Sequence, residues 1–187
     1  MSHSTLVRHL WSDAAMSLPR QAALVVLGSA LVALSAQVQV PMLPVPMTLQ
    51  TLAVLAIGAA FGARLAAATL LLFVAEAAPG LPVMAGTGGR IGQAQGPTGG
   101  YVLGFVLAAF AVGKLAERGF DRNAATMFAA MLVGAALIYV PGALWLSGFV
   151  GGLDKAFALG VAPFVLGDVV KAAIAALAFP AAWKWLR

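Results

Sequence analysis

The sequence predicts an all-α membrane protein: six transmembrane helices in one compact bundle, both termini cytoplasmic, with long external loops over a ligand pocket. Three observations carry this prediction. Of the 187 residues, 62% are hydrophobic and only 9% are charged, whereas a soluble domain carries about 25% charged residues. The apolar residues fall into stretches of bilayer-spanning length. The basic residues gather on alternate connections.

A spanning helix needs roughly 20 mostly apolar residues, with a range of about 17–25. Six stretches qualify or nearly do: 21–40, 47–62, 64–78, 100–115, 124–146 and 163–186. The second and third are short and nearly continuous. A single helix of about 30 residues would overshoot the bilayer by ~15 Å, so a tight reversal is expected at Gly62-Ala63-Arg64. With the N-terminus cytoplasmic, eight of the eleven Lys and Arg residues fall on the inner side: Arg8, Arg20, Arg64, Lys114, Arg118, Arg122, Lys184 and Arg187. Arg90 and Lys155 fall outside, and Lys171 lies within a span. This is the bias expected of short cytoplasmic loops. Trp11, Trp145, Trp183 and Trp185 fall near the expected interfaces, where amphipathic rings prefer to sit.

Residues 1–20 form a polar N-terminal segment, cytoplasmic or interfacial, with Leu6, Val7, Leu10 and Trp11 on one side; an interfacial helix and an unstructured segment both fit. Residues 21–187 form the transmembrane domain. No cleavable signal peptide is expected, because the first apolar run is too long for an h-region and no A-x-A-like site follows it.

Several function classes are excluded. The net charge of +5 would suit nucleic acid, but the charges sit at the ends of apolar segments and form no basic face. There is no cysteine, and His3 and His9 both lie in the N-terminal segment, so no metal constellation is expected. Gly86, Gly88 and Gly92 do not make G-x-G-x-x-G, and no Walker lysine follows them, so the chain should not hydrolyse ATP. No nucleophile–base–orienter set is visible, which argues against an intramembrane enzyme using Glu76 or Asp168 as base. One carboxylate and one lysine do not line a channel.

The remaining polar residues suggest a binding site. Asp168 and Lys171 stand three apart in the last span and so share a helix face. A charge at the centre of a span costs about 2.5–3.5 kcal/mol on insertion scales, so such residues pair and face a protein interior. The alternative is a purely structural pair. On the expected outer side, Pro41, Pro44 and Pro46 forbid a regular helix and impose an extended path. Thr48, Gln50 and Thr51 then bring hydrogen-bonding groups to the start of the second helix, whose first N–H groups lack partners within it. Residues 79–99 form a long glycine-rich connection, uncharged but for Arg90, of the kind that serves as a lid. Glu76, near the outer end of the third span, either lines the pocket or sits at the interface.

Four runs together resemble the BioY family, the biotin-specific substrate-binding (S) components of energy-coupling factor (ECF) transporters. They are Val45-Pro46-Met47-Thr48-Leu49-Gln50-Thr51-Leu52, Gly80-Leu81-Pro82-Val83-Met84-Ala85-Gly86, Gly96-Pro97-Thr98-Gly99-Gly100-Tyr101 and Gly167-Asp168-Val169-Val170-Lys171. The resemblance covers roughly Pro41 to the C-terminus. It implies a six-helix bundle with a biotin pocket near the external face, in the cell (inner, cytoplasmic) membrane. It also implies a transmembrane T component and ABC-type ATPase subunits as partners, which use the ATP; the chain itself needs no cofactor. Another small vitamin-like substrate, or a solitary transporter without an energising module, is the alternative.

With biotin as ligand, Asp168 is expected to accept from the ureido N–H groups through charge-assisted bonds. Lys171 is expected to pair with Asp168 and donate to the ligand carbonyl. Thr48 and Gln50 are candidate polar contacts, with local helix capping as the alternative. Tyr101 is a candidate to stack on the ring system or to bond its polar edge, or else an interface-belt residue. Gly86 and Gly99 are candidate main-chain contacts, and Arg90 a candidate partner for the ligand carboxylate. Met42, Met47, Met84, Met127 and Met131 are read as packing. S components often carry A-x-x-x-A on the first helix for docking; here the nearest form is Ser29 with Ala33, small residues that permit close helix approach.

Overall fold

The computed structural model describes residues 5–10, 17–85 and 96–186. Its principal elements, in chain order, are α1 (Leu6–Leu10), α2 (Leu18–Gln37), β1 (Gln39–Val40), β2 (Met47–Thr48), α3 (Gln50–Phe61), α4 (Ala63–Ala77), α5 (Gly99–Ala116), α6 (Ala124–Val150), α7 (Leu153–Gly160) and α8 (Ala162–Trp185), with a 3-10 turn at Phe120–Arg122. Six of these helices occupy the six expected stretches. Four, α2, α5, α6 and α8, are long and apolar enough to cross a membrane. The other two are shorter, at 12 residues for α3 and 15 for α4.

Sequence explains the boundaries. The α3–α4 reversal turns on Gly62, whose φ of +81° lies where side chains are strained. The N–H of buried Ala63, which has no partner within α4, donates to the Glu117 carboxylate at 3.0 Å, an anion at a helix N-terminus where the dipole favours it. Asn123 caps α6 by accepting from the Ala125 N–H at 2.8 Å. Pro163 opens α8 inside its first turn, where no N–H is required.

The core runs along α5, which packs against α3, α4 and α6. In its apolar stretch 61% of residues are buried, against 22% for α2 on the periphery. The outward faces are apolar too: Leu27, Leu34, Leu166 and Leu177 are each at least 66% exposed. Such contiguous greasy surface is foreign to a water-soluble protein and suits lipid. This is a membrane protein.

Several expectations are corrected. The proline-rich stretch between α2 and α3 does not run on as one extended path; it returns on itself as a two-stranded antiparallel ribbon pairing Gln39 with Thr48 and Val40 with Met47. The bond from the Leu49 N–H to the Val38 carbonyl (2.9 Å) extends the ribbon. At the other end of the bundle, Trp183 is no belt residue. It is 4% exposed and donates its indole N–H to the buried Asp121 carboxylate at 2.6 Å, with the Arg122 guanidinium stacked 4.4 Å from its ring centre. Trp145 and Trp185 do face outward, and Trp11 lies outside the described residues. In the N-terminal segment, α1 packs on α3, with Thr5 and Val7 buried, and α2 begins at Leu18.

Candidate functional site

A pocket of about 590 Å³, counting its open mouth, lies where α3, α5 and α8 begin, beside the middle of α6. The ribbon and α3 contribute Val45, Pro46, Thr48, Gln50 and Thr51. Met84 and Ala85 come from the segment after α4. Thr98, Tyr101, Val102 and Phe105 come from the start of α5, Ile138 and Tyr139 from α6, and Phe164, Asp168 and Lys171 from α8. The wall is mostly apolar, with the polar groups concentrated at one place.

That place is a network built on Asp168 and Lys171. Their i, i+3 spacing brings the ammonium to 2.8 Å from Asp168 Oδ1. The Thr51 hydroxyl donates to the same Oδ1 at 2.8 Å, and the Tyr139 hydroxyl donates to Oδ2. Lys171 Nζ also donates to the Thr48 carbonyl at 2.7 Å and to Thr51 Oγ1 at 2.8 Å. The two charged side chains are only 8% and 14% exposed. A buried pair persists only when its remaining donors and acceptors are met. Here the three ammonium protons are all engaged. The carboxylate, which offers about four acceptor positions, keeps about one open.

Gln50 differs. It is 5% exposed and lines the pocket. Its Oε1 accepts from the Thr48 hydroxyl at 3.3 Å, while its Nε2 has no hydrogen-bond partner among the described residues. A buried donor left unpaired costs free energy, about 1–3 kcal/mol. A ligand acceptor placed here would recover it.

Tyr101 presents only its ring. Its hydroxyl donates to the Gly160 carbonyl at 2.8 Å, tying α5 to the end of α7. The ring is seated against Gly142 so closely that an added Cβ there would stand 2.4 Å from ring carbons. With its hydroxyl engaged by Gly160, Tyr101 offers the pocket a ring face in place of a polar edge. Trp145 of α6 holds the other approach to α5, donating its indole N–H to the Gly96 carbonyl at 2.9 Å.

The structure thus brings together Asp168, Lys171, Thr48, Gln50 and Tyr101. It does not bring in Glu76, whose carboxylate accepts from the Ser29 hydroxyl between α4 and α2, away from the pocket lining. Gly99 is buried at the first turn of α5 and does not line the pocket, although its neighbour Thr98 does. Gly86 and Arg90 lie outside the described residues. Ser29 is fully buried and Ala33 packs on the core, so this stripe serves packing within the bundle. Sequence reasoning missed Tyr139 and did not select Thr51 or Phe164. A usable signal existed for Tyr139: the chain has two tyrosines, both in apolar spans, and both line the pocket.

The BioY family model matches residues 6–187. The chain belongs to the BioY family. It is 40% identical to the probable biotin transporter BioY of Pyrococcus horikoshii, over 84% of this chain and 93% of that one. Against the biotin transporter BioY of Thermotoga maritima it is 36% identical, over 80% of this chain and 87% of that relative. The fold matches the crystal structure of an S-component for biotin from an ECF-type ABC transporter, with a TM-score of 0.75 at 23% identity, covering 91% of this chain and 95% of that one.

Proposed function

We propose that this chain captures biotin at the external face of a cell membrane and carries it inward as the S component of an ECF transporter. It is a transport protein and not an enzyme; a T component and ABC-type ATPase subunits supply the energy. The observation that carries this reading is the fully networked Asp168–Lys171 pair at the base of an otherwise apolar pocket, in a member of the BioY family. Lipid-embedded charges are retained where a substrate uses them.

In this reading α2, α3, α4, α5, α6 and α8 all cross the bilayer, the two short helices as incomplete spans, and both termini are cytoplasmic. The ribbon, residues 79–98 and α7 are then external and border the pocket mouth. Asp168 accepts from a ureido N–H at its open lone pair, Tyr101 stacks on the fused rings, and Thr48 and Gln50 complete the polar wall. Arg90 serves as partner for the valerate carboxylate and Gly86 as a main-chain contact. Docking falls on α2, but on its outward leucines Leu27, Leu31 and Leu34, which are 52–67% exposed, since Ser29 points inward.

The test is calorimetric titration of biotin into the detergent-purified chain, wild type beside Asp168→Asn and Lys171→Ala. Truncating one partner of a buried hydrogen-bonded charge pair costs about 2–5 kcal/mol. Unchanged affinity in both folded variants refutes the site.

A further inference from the structure

Resting on the external placement of α7 proposed above, we infer that α7 is an interfacial helix seated in the acyl chains of the external leaflet by Leu153 and Phe157. Through the bond between Gly160 and Tyr101, this lipid seat steadies one wall of the pocket.

The residue pattern of α7 sets its orientation. At 3.6 residues per turn, Ala156 and Gly160 share one line along the helix, and they are its buried residues. Both are small, so the helix lies flush on the bundle; an added Cβ at Gly160 would collide with Leu146 and with the Tyr101 hydroxyl. Leu153 and Phe157, one turn apart, form the flank on one side of that line, and they are 56% and 59% exposed. Leu159 lies on the other flank beside Lys155. Asp154, Lys155 and Ala158 span the opposite face, all of them exposed. An apolar arc against a charged one is the pattern of a helix lying in the plane of a membrane interface. With Leu153 and Phe157 toward lipid, both charges stay in water. The reverse orientation would press Lys155 toward hydrocarbon, at a cost.

Continuity with the neighbouring spans identifies lipid as the occupant. Helix α7 joins α6 to α8 and packs on both. The end of α6 that leads into it exposes Trp145 and Phe149, their ring centres 6.4 Å apart. The first turns of α8 expose Val165 and Leu166. Aromatic rings at a span end mark the level of the membrane interface. The uncovered side chains of α7 thus continue the apolar outer surface of the spans on either side.

The link to the pocket is a single bond. Gly160, at the end of α7, accepts from the Tyr101 hydroxyl at 2.8 Å, and Tyr101 lines the pocket. At its other end α7 hangs from Gly151 and Gly152, at φ of +80° and +132°, and a Cβ at Gly152 would meet nothing within 4 Å. That turn braces α7 little. Removing the seat therefore lets Gly160 move, and the Tyr101 ring with it.

The chain has no cysteine, so a single introduced thiol takes a spin label cleanly. Leu153→Cys, Phe157→Cys, Asp154→Cys and Ala158→Cys are labelled in the full chain and reconstituted in phosphatidylcholine–phosphatidylglycerol vesicles. Collision with oxygen, which concentrates in lipid, is compared with collision with a water-soluble nickel complex. Positions 153 and 157 are expected to meet oxygen and escape nickel, and positions 154 and 158 to show the reverse. Nickel access at 153 and 157 equal to that at 154 and 158 overturns the inference. So does shielding of 153 and 157 from both reagents, which would mean that a second copy of the chain covers them.

Biotin titration into the same vesicles reads the link. Phe157→Asp should weaken binding about tenfold, while Ala158→Asp, on the opposite face, should leave it at the wild-type value; thermal melts verify folding. Should Phe157→Asp fail to fold, Leu153→Ser replaces it. Wild-type affinity in a folded Phe157→Asp or Leu153→Ser chain overturns the link to the pocket. A wild-type chain that binds no biotin overturns the biotin reading instead, and the labelling result still decides the lipid seat.

Discussion

Tyr139 of α6 hydrogen-bonds Asp168 of α8 through its phenolic hydroxyl, closing from above a carboxylate already held from beneath by Thr51 and Lys171. Three helices thereby converge on one acidic group. Its orientation is set by the tertiary fold and not by the α8 helix alone.

Tyr139→Phe tests that orientation. It removes one bond to a charged acceptor, worth about 1.5–3 kcal/mol, and leaves the ring packed. Biotin affinity should fall by roughly tenfold or more, read by titration calorimetry, with the helical circular-dichroism spectrum unchanged. Full affinity in this variant would mean that Asp168 needs no help from α6.

Charge pairing and binding should separate in a double variant. Lys171→Met alone strands a buried carboxylate and should lower stability by about 3–5 kcal/mol. Asp168→Leu combined with Lys171→Met removes both charges and should regain much of that loss in a thermal melt in detergent. Biotin binding should stay absent in the double variant, so stability returns without function.

Gly142→Ala places a methyl group 2.4 Å from ring carbons of Tyr101. Overpacking of this kind costs about 1–3 kcal/mol. The ring has to shift, and the Tyr101 hydroxyl is bonded to Gly160, so α7 should move with it. Reduced thermal stability together with weaker biotin binding is expected; a change in neither would show that the ring is free to relax.

At the inner end, Trp183→Phe deprives Asp121 of its indole donor. The carboxylate is fully buried, so a stability loss of about 1–3 kcal/mol is expected. The site lies at the other end of α8, so biotin affinity should be retained. A parallel loss of affinity would reveal coupling between the two ends.

How far the sequence could be read follows from the range of each interaction. Helix positions were legible because hydrophobic runs and turn residues are local, and the Asp168–Lys171 contact was legible because i, i+3 geometry is local too. Thr51 and Tyr139 were harder: they stand 117 and 29 residues from Asp168, and no local pattern reports that distance. Ser29 and Trp183 failed for a related reason. Small residues and indoles at span ends suit several roles, and here two carboxylates, the half-buried Glu76 and the buried Asp121, claimed them. The ribbon went unread because its two strands have two residues each, too few for alternation to appear.

The attachment of Lys171 to the carbonyl oxygen of Thr48 has an evolutionary consequence. A main-chain oxygen is supplied by every amino acid, so this fastening makes no demand on which side chain occupies position 48. A substitution at position 48 would thereby keep this fastening and the contour it maintains, while giving up the separate bonds that the threonine hydroxyl makes to Gln50.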